Sequence, residues 1–279
     1  MKEITRETIQ SFKDYLISEE KSEATVGKYT HDAEEFRRWL GERELCKTAV
    51  LEYKSYLCEH YAPASANAAI SSLNCFFNFM ERCDLRVKNL KIQKQIFASS
   101  DKELTKGEYD RLLQVAKQKE NERLYLLMQT ICSTGIRVSE LRHITVEAIR
   151  CGVAEINCKG KRRLVFLPTR LCKMLKQYAK DQKIKSGAVF VTKNGNPLDR
   201  SNIWSDMKKL CKVANVSEKK VFPHNLRHLF ARTYYNLQKD VVRLADILGH
   251  SSINTTRIYT MENGEIHRRQ IQRLGLLRC

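Results

Sequence analysis

Apolar residues recur every three or four positions through the first ninety residues, and polar residues fill the positions between them. This period is typical of amphipathic helices that bury one face. Gly41 follows the second stripe and Pro63 precedes the fourth, as residues that end and begin helices do. The pattern predicts a four-helix bundle over residues 1–90. Its stripes are Ile9, Phe12 and Leu16; Val26, Tyr29, Ala33, Phe36 and Leu40; Val50, Tyr53 and Leu57; and Ala69, Leu73, Phe76 and Met80.

The helical period is lost in the sequence KNLKIQKQIFASSD, which ends in small polar residues. Such a stretch indicates a linker between domains, and we assign it to residues 91–102. Thr105 and Glu108 then have the spacing of a capping box, which predicts the start of a helix. A second domain is therefore expected over residues 103–279.

Two short β-rich runs interrupt the helical pattern of this second domain. Val153–Cys158 and Leu164–Leu167 flank the basic sequence KGKRR, a pattern that predicts a hairpin. Arg162 and Arg163 are expected in its solvated turn. Val189–Thr192 indicates a further short strand. The chain is thus predicted to be mainly α-helical with a small β-hairpin.

Within residues 221–260, the side chains of His224, Arg227, His250 and Tyr259 have spacings that suit one chemistry. His224 and Arg227 are three apart on a predicted helix that opens at Pro223, so both should point from one face. His250 follows the glycine that should end the next helix, and it is expected in an exposed turn. Tyr259 lies nine residues later, on a short helical segment.

A second arginine precedes this segment, in the sequence TGIRVSEL. Gly135 allows a tight turn that presents Arg137, while Ser139 and Glu140 suit the start of another helix. These residue types suit transfer of a phosphoryl group. A guanidinium pairs with two oxygens of one phosphate, a phenol can be a covalent nucleophile, and fixed positive donors stabilise the developing charge.

The net charge of +18 is distributed unevenly along the chain. Residues 1–98 contain 15 Lys and Arg and 15 Asp and Glu, so the whole excess lies in residues 99–279. This asymmetry indicates that the second domain binds a polyanion. The ten cysteines include no Cys-x-x-Cys pair, which argues against a zinc site and favours reduced thiols in the cytoplasm.

Three sequences carry a family resemblance: TGIRVSEL at residues 134–141, HNLRH at 224–228 and LGHSSINTTRIYT at 248–260. In this order they resemble the tyrosine recombinase (phage integrase) family. The resemblance implies an N-terminal SAM-like core-binding domain that grips DNA, followed by an α+β catalytic domain. It also implies a C-terminal tail segment that can pack on a neighbouring subunit.

The resemblance assigns a role to each candidate site residue. Tyr259 is the nucleophile, and Lys159 on the hairpin protonates the leaving 5′-oxygen; Lys161, on the same strand face, stays open as the alternative. The remaining candidates contact the scissile phosphate: Arg137 and Arg227 clamp its oxygens, His250 donates a further hydrogen bond, and His224 accepts the proton of Tyr259 or binds the phosphate.

The implied reaction is site-specific recombination through a 3′-phosphotyrosyl link, without a metal, ATP or other cofactor. The expected partner is double-stranded DNA with short inverted repeats, held by a homotetramer that is a monomer or weak oligomer when free. A cytoplasmic, nucleoid-associated location is expected. Two alternatives stay open: relaxation of supercoils by a type IB topoisomerase-like enzyme, and a non-catalytic DNA-binding relative.

Overall fold

The computed structural model describes residues 4–92, 103–158, 161–192, 194–260, 268–269, 271–274 and 276. The chain forms two compact units, Met1–Lys94 and Gln95–Cys279, each with its own hydrophobic core. Their division falls within the segment assigned above to the linker. Across the described residues, no helix combines the length and the apolar character needed to span a membrane.

The N-terminal unit is a bundle of four helices within residues 4–92: α1 (Arg6–Ser18), α2 (Glu23–Leu40), α3 (Lys47–His60) and α4 (Pro63–Phe79). The predicted stripes form its core, and Phe12, Phe36 and Phe76 are fully buried there. Aromatic edges and faces meet inside the bundle; for example, the ring centroids of Phe12 and Phe76 lie 5.0 Å apart. The prediction of a helical bundle is confirmed.

The C-terminal unit is organised around α6 (Glu122–Thr134), which is buried on most of its surface and contacts four other helices of the unit. A helix buried on most sides belongs to the middle of a domain. Within residues 103–260, the α-helices are α5 (Lys106–Gln118), α6, α7 (Val146–Cys151), α8 (Thr169–Asp181), α9 (Arg200–Ala214), α10 (Pro223–Gln238), α11 (Val241–Leu248) and α12 (Ile253–Thr256). The capping box of Thr105 and Glu108 opens α5, as predicted.

The β-hairpin differs from its predicted form. Strand β1 (Val153–Cys158) pairs antiparallel with β2 (Lys161–Phe166), so β2 begins three residues earlier than expected. Because side chains alternate along a strand, Arg163 shares the inward face of β2 with buried Val165, whereas Arg162 points outward. The prediction of a solvated turn is therefore wrong for Arg163.

Two smaller predictions are also wrong. Val189–Thr192 is not a strand, because its pairing is limited to an isolated bridge between Val191 and Pro197. The segment Val138–His143 is a 3₁₀ turn rather than the start of an α-helix. It is held tight because the Glu140 carboxylate accepts a hydrogen bond from the backbone N–H of Arg137 at 2.7 Å.

Candidate active site

Arg227 lies at the centre of the candidate site, on α10, and is 1% exposed. Its Nη1 donates to the Gly135 carbonyl at 2.6 Å, and its Nη2 donates to the Leu248 carbonyl at 2.8 Å. Both carbonyls lie at the C-terminal ends of helices, α6 and α11, where the helix dipole favours a positive charge. Burial lowers the pKa of Arg227 to about 10, so its guanidinium stays charged at neutral pH.

A glycine at each of these two helix ends allows a neighbouring side chain to pack closely against the backbone. The neighbour is Phe230 of α10 at Gly135, and Arg163 of β2 at Gly249. Gly135 has φ +66°, and a Cβ there would lie 2.4 Å from a ring carbon of Phe230. Gly249 has φ +64°, and a Cβ there would lie 2.5 Å from Cδ of Arg163. Neither position accommodates a side chain without movement of its neighbour. The tight turn predicted at Gly135 is confirmed.

Arg137 lies two residues after Gly135, and 41% of its side chain is exposed. Its Nη1 donates to Oε1 of Glu140 at 2.9 Å, and Glu140 itself is buried. Burial acts to raise the pKa of Glu140, but the backbone N–H of Arg137 and the charges of Arg163 and Arg137 lower it further than burial raises it. Glu140 is therefore an ionised carboxylate that fixes one face of Arg137 and leaves the rest open.

His250 is half-buried. The prediction that it lies in an exposed turn after Gly249 is therefore wrong. Its Nε2 lies 3.0 Å from Nη2 of Arg227, and its Nδ1 lies 2.8 Å from Oγ1 of Thr256. A guanidinium only donates, so Nε2 accepts and the ring proton is on Nδ1. In this arrangement Nε2 carries no proton, so His250 can donate to a phosphate from Nε2 only after the bond to Arg227 is displaced and Nε2 gains a proton.

The pKa of His250 is lowered to about 4, first by burial and then by the charges of Arg227, Arg137 and Arg163. The pKa of His224 is also lowered, by partial burial and then by Arg227, Arg137 and Arg200, although its side chain is exposed on the cleft side. Both imidazoles are therefore neutral at neutral pH. A neutral imidazole can accept a proton, which is the property a general base requires.

Tyr259 follows α12 in a 3₁₀ turn and is 3% exposed. Its ring lies parallel to that of His250, with centroids 6.1 Å apart and planes at 13°. The ring of His228 meets it edge-on at 4.7 Å, and His228 contacts His224 at the same centroid distance. Sequence reasoning missed His228, although its position four residues after His224 places both on one face of α10.

A cleft of about 1030 Å³ opens beside these residues within the C-terminal unit. Arg137, His224 and Arg227 lie on its wall, and exposed Trp204 contributes an apolar surface. Further basic residues surround it, namely Arg142, Arg200, Lys208 and Lys219. A cleft with this lining suits a phosphate backbone.

The structure thus brings together five of the six predicted site residues: Arg137, His224, Arg227, His250 and Tyr259. The sixth, Lys159, lies outside the described residues. Lys161 belongs to β2, and its side chain is not described. Among the described residues, no three His, Cys, Asp or Glu side chains are grouped so that they could hold a metal ion.

Comparison with known proteins decides the family. Residues 102–265 match the model of the phage integrase family, and residues 9–83 match the phage integrase N-terminal SAM-like domain. The chain belongs to the phage integrase family. This membership accounts for both units, because each matches one of the two family domains.

Relatives span nearly the whole chain. Tyrosine recombinase XerA of Pyrococcus furiosus is 29% identical over 286 residues, covering 99% of this chain and 96% of the relative. The XerA protein of Thermococcus kodakarensis is 30% identical over 275 residues, covering 95% and 94%. The structure of lambda integrase residues 75–356, a dimer bound to a COC′ core site, has a TM-score of 0.75 at 18% identity and covers 93% of this chain and 96% of that chain. It shows the shared fold.

Proposed function

We propose that this protein is a site-specific DNA recombinase that cleaves and rejoins strands through a 3′-phosphotyrosyl intermediate on Tyr259. The observation that carries the proposal is the contact of Tyr259 with His250, which is itself bonded to buried Arg227 on the cleft wall. The XerA relatives are named tyrosine recombinases, which favours recombination over relaxation of supercoils.

In the proposed reaction the Tyr259 oxygen attacks the scissile phosphorus, and the bond to the 5′-oxygen breaks. Neutral His224 accepts the phenolic proton, and Lys159 gives a proton to the departing 5′-oxygen. Arg137 and Arg227 hold the non-bridging oxygens, on which negative charge develops. The 5′-hydroxyl of a second strand then attacks the phosphotyrosine, which restores Tyr259 and joins the exchanged strands.

The phosphotyrosyl bond conserves the free energy of the original phosphodiester, so rejoining needs no nucleotide. Recombination breaks two strands in each of two duplexes, and each break uses one tyrosine. We therefore propose a homotetramer on two synapsed sites, each with two inverted half-sites. The excess positive charge of residues 99–279 supports duplex DNA as the partner, and a cytoplasmic, nucleoid-associated location completes this proposal.

The proposal is tested with a suicide substrate, a duplex with inverted repeats selected by binding to the purified protein and nicked next to the scissile phosphate. Loss of the short fragment beyond the nick traps the intermediate. We expect a covalent protein–DNA complex that resists denaturation, disappears on protease treatment, and forms equally in EDTA. Failure of the complex to form, or its loss in EDTA, contradicts the mechanism. With intact circular substrates, exchanged segments support recombination, and relaxed circles alone support a topoisomerase.

A further inference from the structure

Arg163 on β2 is an interior residue of the candidate site that no catalytic role uses. Its side chain is 14% exposed, and its Nη2 donates to Oε2 of Glu140 at 2.5 Å. Its Nη1 donates to the carbonyl of Ile247, in the last turn of α11. The two branches of one guanidinium therefore join the hairpin to two other segments of the site. Only the forked arginine side chain can serve both acceptors in this way.

The neighbouring arginine has a different environment. Arg162 is 76% exposed, and its contact is an ion pair with exposed Glu155 at 3.6 Å. A surface pair of this kind contributes little to stability. The two residues have the same side chain and adjacent positions, and they differ in the face of β2 that they occupy. Arg162 is therefore a matched control for Arg163.

Glu140 connects Arg163 to the phosphate-binding residues. One carboxylate oxygen, Oε1, accepts from Nη1 of Arg137 at 2.9 Å. The other, Oε2, accepts from Arg163 and from the backbone N–H of Arg137. Arg163 thus holds the carboxylate in the orientation that Arg137 requires. The main contact of Arg163 outside this carboxylate is the α11 end, where its stem fills the space that a side chain at Gly249 would take.

We propose that Arg163 is a positioning residue for the cleavage reaction, which aligns Arg137 on the scissile phosphate through the shared Glu140 carboxylate. The inference rests on the proposed function, and it assigns Arg163 a role that acts through Glu140 and Arg137. Without Arg163 the carboxylate loses its fixed partner on the hairpin side, and Arg137 turns with it. Displacement of a phosphate-binding group by about 1 Å can lower a rate by about 100-fold.

The test compares Arg163→Met, Arg163→Lys and Arg162→Met in single-turnover cleavage of the suicide substrate, with DNA affinity and the thermal unfolding midpoint measured for each. We expect cleavage to fall by about 100-fold in both Arg163 variants, at saturating DNA, and to stay within about threefold of wild type in Arg162→Met. Arg163→Lys retains the positive charge beside Glu140, so it carries the test if Arg163→Met does not fold.

A double-mutant cycle separates positioning from general support of the fold. In an Arg137→Lys background, loss of Arg163 should lower the rate by only a few-fold, because the group that it aligns is already altered. If the two effects instead multiply, or if Arg163 and Arg162 variants behave alike, the inference is wrong. The wild-type protein in the same assay reports on the proposed function itself, so failure of one is distinguishable from failure of the other.

Discussion

The two units of this chain bury different kinds of residue. Among the described residues, the core of the N-terminal unit is aromatic and aliphatic, and Asp32, paired with Lys28, is its one buried charge. The C-terminal unit has an apolar core as well, but it also buries Arg227, Glu140 and Thr256, which contact other residues of the candidate site. The two buried charges lie close to the place where the ends of α6 and α11 meet α10.

This difference separates residues that stabilise the fold from residues that are retained for chemistry. Apolar burial stabilises a unit in proportion to the area removed from water. A buried charge costs free energy unless hydrogen bonds and opposite charges offset that cost. Arg227 and Glu140 are each held by several hydrogen bonds, as this requires. We infer that Arg227 is a fixed positive donor for a phosphate, and that Glu140 holds Arg137 in place as a second one.

The largest expected effect follows from Tyr259→Phe, which removes one oxygen and leaves the packed ring. Folding and DNA binding should persist, while covalent complex is abolished because no nucleophile remains. Lys159→Ala should also slow cleavage, because the departing 5′-oxygen lacks its proton. Both variants are measured on the suicide substrate.

A substrate with sulfur in place of the bridging 5′-oxygen distinguishes these two variants. A thiolate leaves without protonation, so the sulfur substrate should rescue Lys159→Ala and leave Tyr259→Phe inactive. Rescue of Lys161→Ala, with Lys159→Ala nearly normal, would assign the general acid to Lys161. If neither lysine variant responds, the general acid is a different residue.

A smaller effect on the cleavage rate is expected when one buried residue is changed in each unit. The variant that loses more unfolding free energy should be the one that loses less cleavage. Phe36→Ala should cost the N-terminal unit about 3–5 kcal/mol, because it leaves a cavity in the bundle. Arg227→Met should cost about 1–3 kcal/mol, because the Gly135 and Leu248 carbonyls lose their donor. Yet Arg227→Met should lower single-turnover cleavage by at least about 100-fold, whereas Phe36→Ala should leave it unchanged at saturating DNA.

Urea unfolding followed by circular dichroism, together with cleavage rates, checks this pair of variants. If Phe36→Ala reduced cleavage as much as Arg227→Met while remaining folded, the distinction between the two units would be wrong.

The smallest effect concerns pH. Burial, then the charge that His224 carries once protonated and the charge of Arg227, lower the pKa of His228 to about 4, below the value of about 6.5 for an unfolded chain. The unfolded state then binds more protons between these values, so the stability that neutral His228 contributes is lost as pH falls from about 6.5 to 4. His228→Phe keeps a ring against Tyr259 without this titration. Between pH 7 and 4.5 the unfolding free energy of both proteins should fall. The fall should be smaller in His228→Phe than in wild type, and the two falls should differ by about 1–2 kcal/mol. Equal losses in the two proteins would contradict the assignment.

The helices of the N-terminal unit could be predicted from sequence because each stripe reports burial directly. The turn at Gly135 could also be predicted, because glycine adopts its left-handed conformation more readily than other residues do. Arg163 could not be placed, because its inward direction depends on where β2 begins, and a shift of one residue reverses the face. The hydrogen-bond partners of His250 could not be predicted either, because they lie on two other elements, α10 and α12. Local pattern therefore predicts elements and candidate residues, whereas hydrogen bonds between distant segments require the fold.

The central claim, that Tyr259 becomes covalently joined to DNA, is tested most directly by mapping the linkage. The trapped complex is digested with nuclease and trypsin, and the peptides are sequenced by mass spectrometry. Trypsin releases residues 258–268 as one peptide with a single tyrosine. We predict a nucleotide adduct on Tyr259 in this peptide. An adduct on another residue, such as Tyr234 or Tyr235, or DNA cleavage with no adduct at all, would contradict the account.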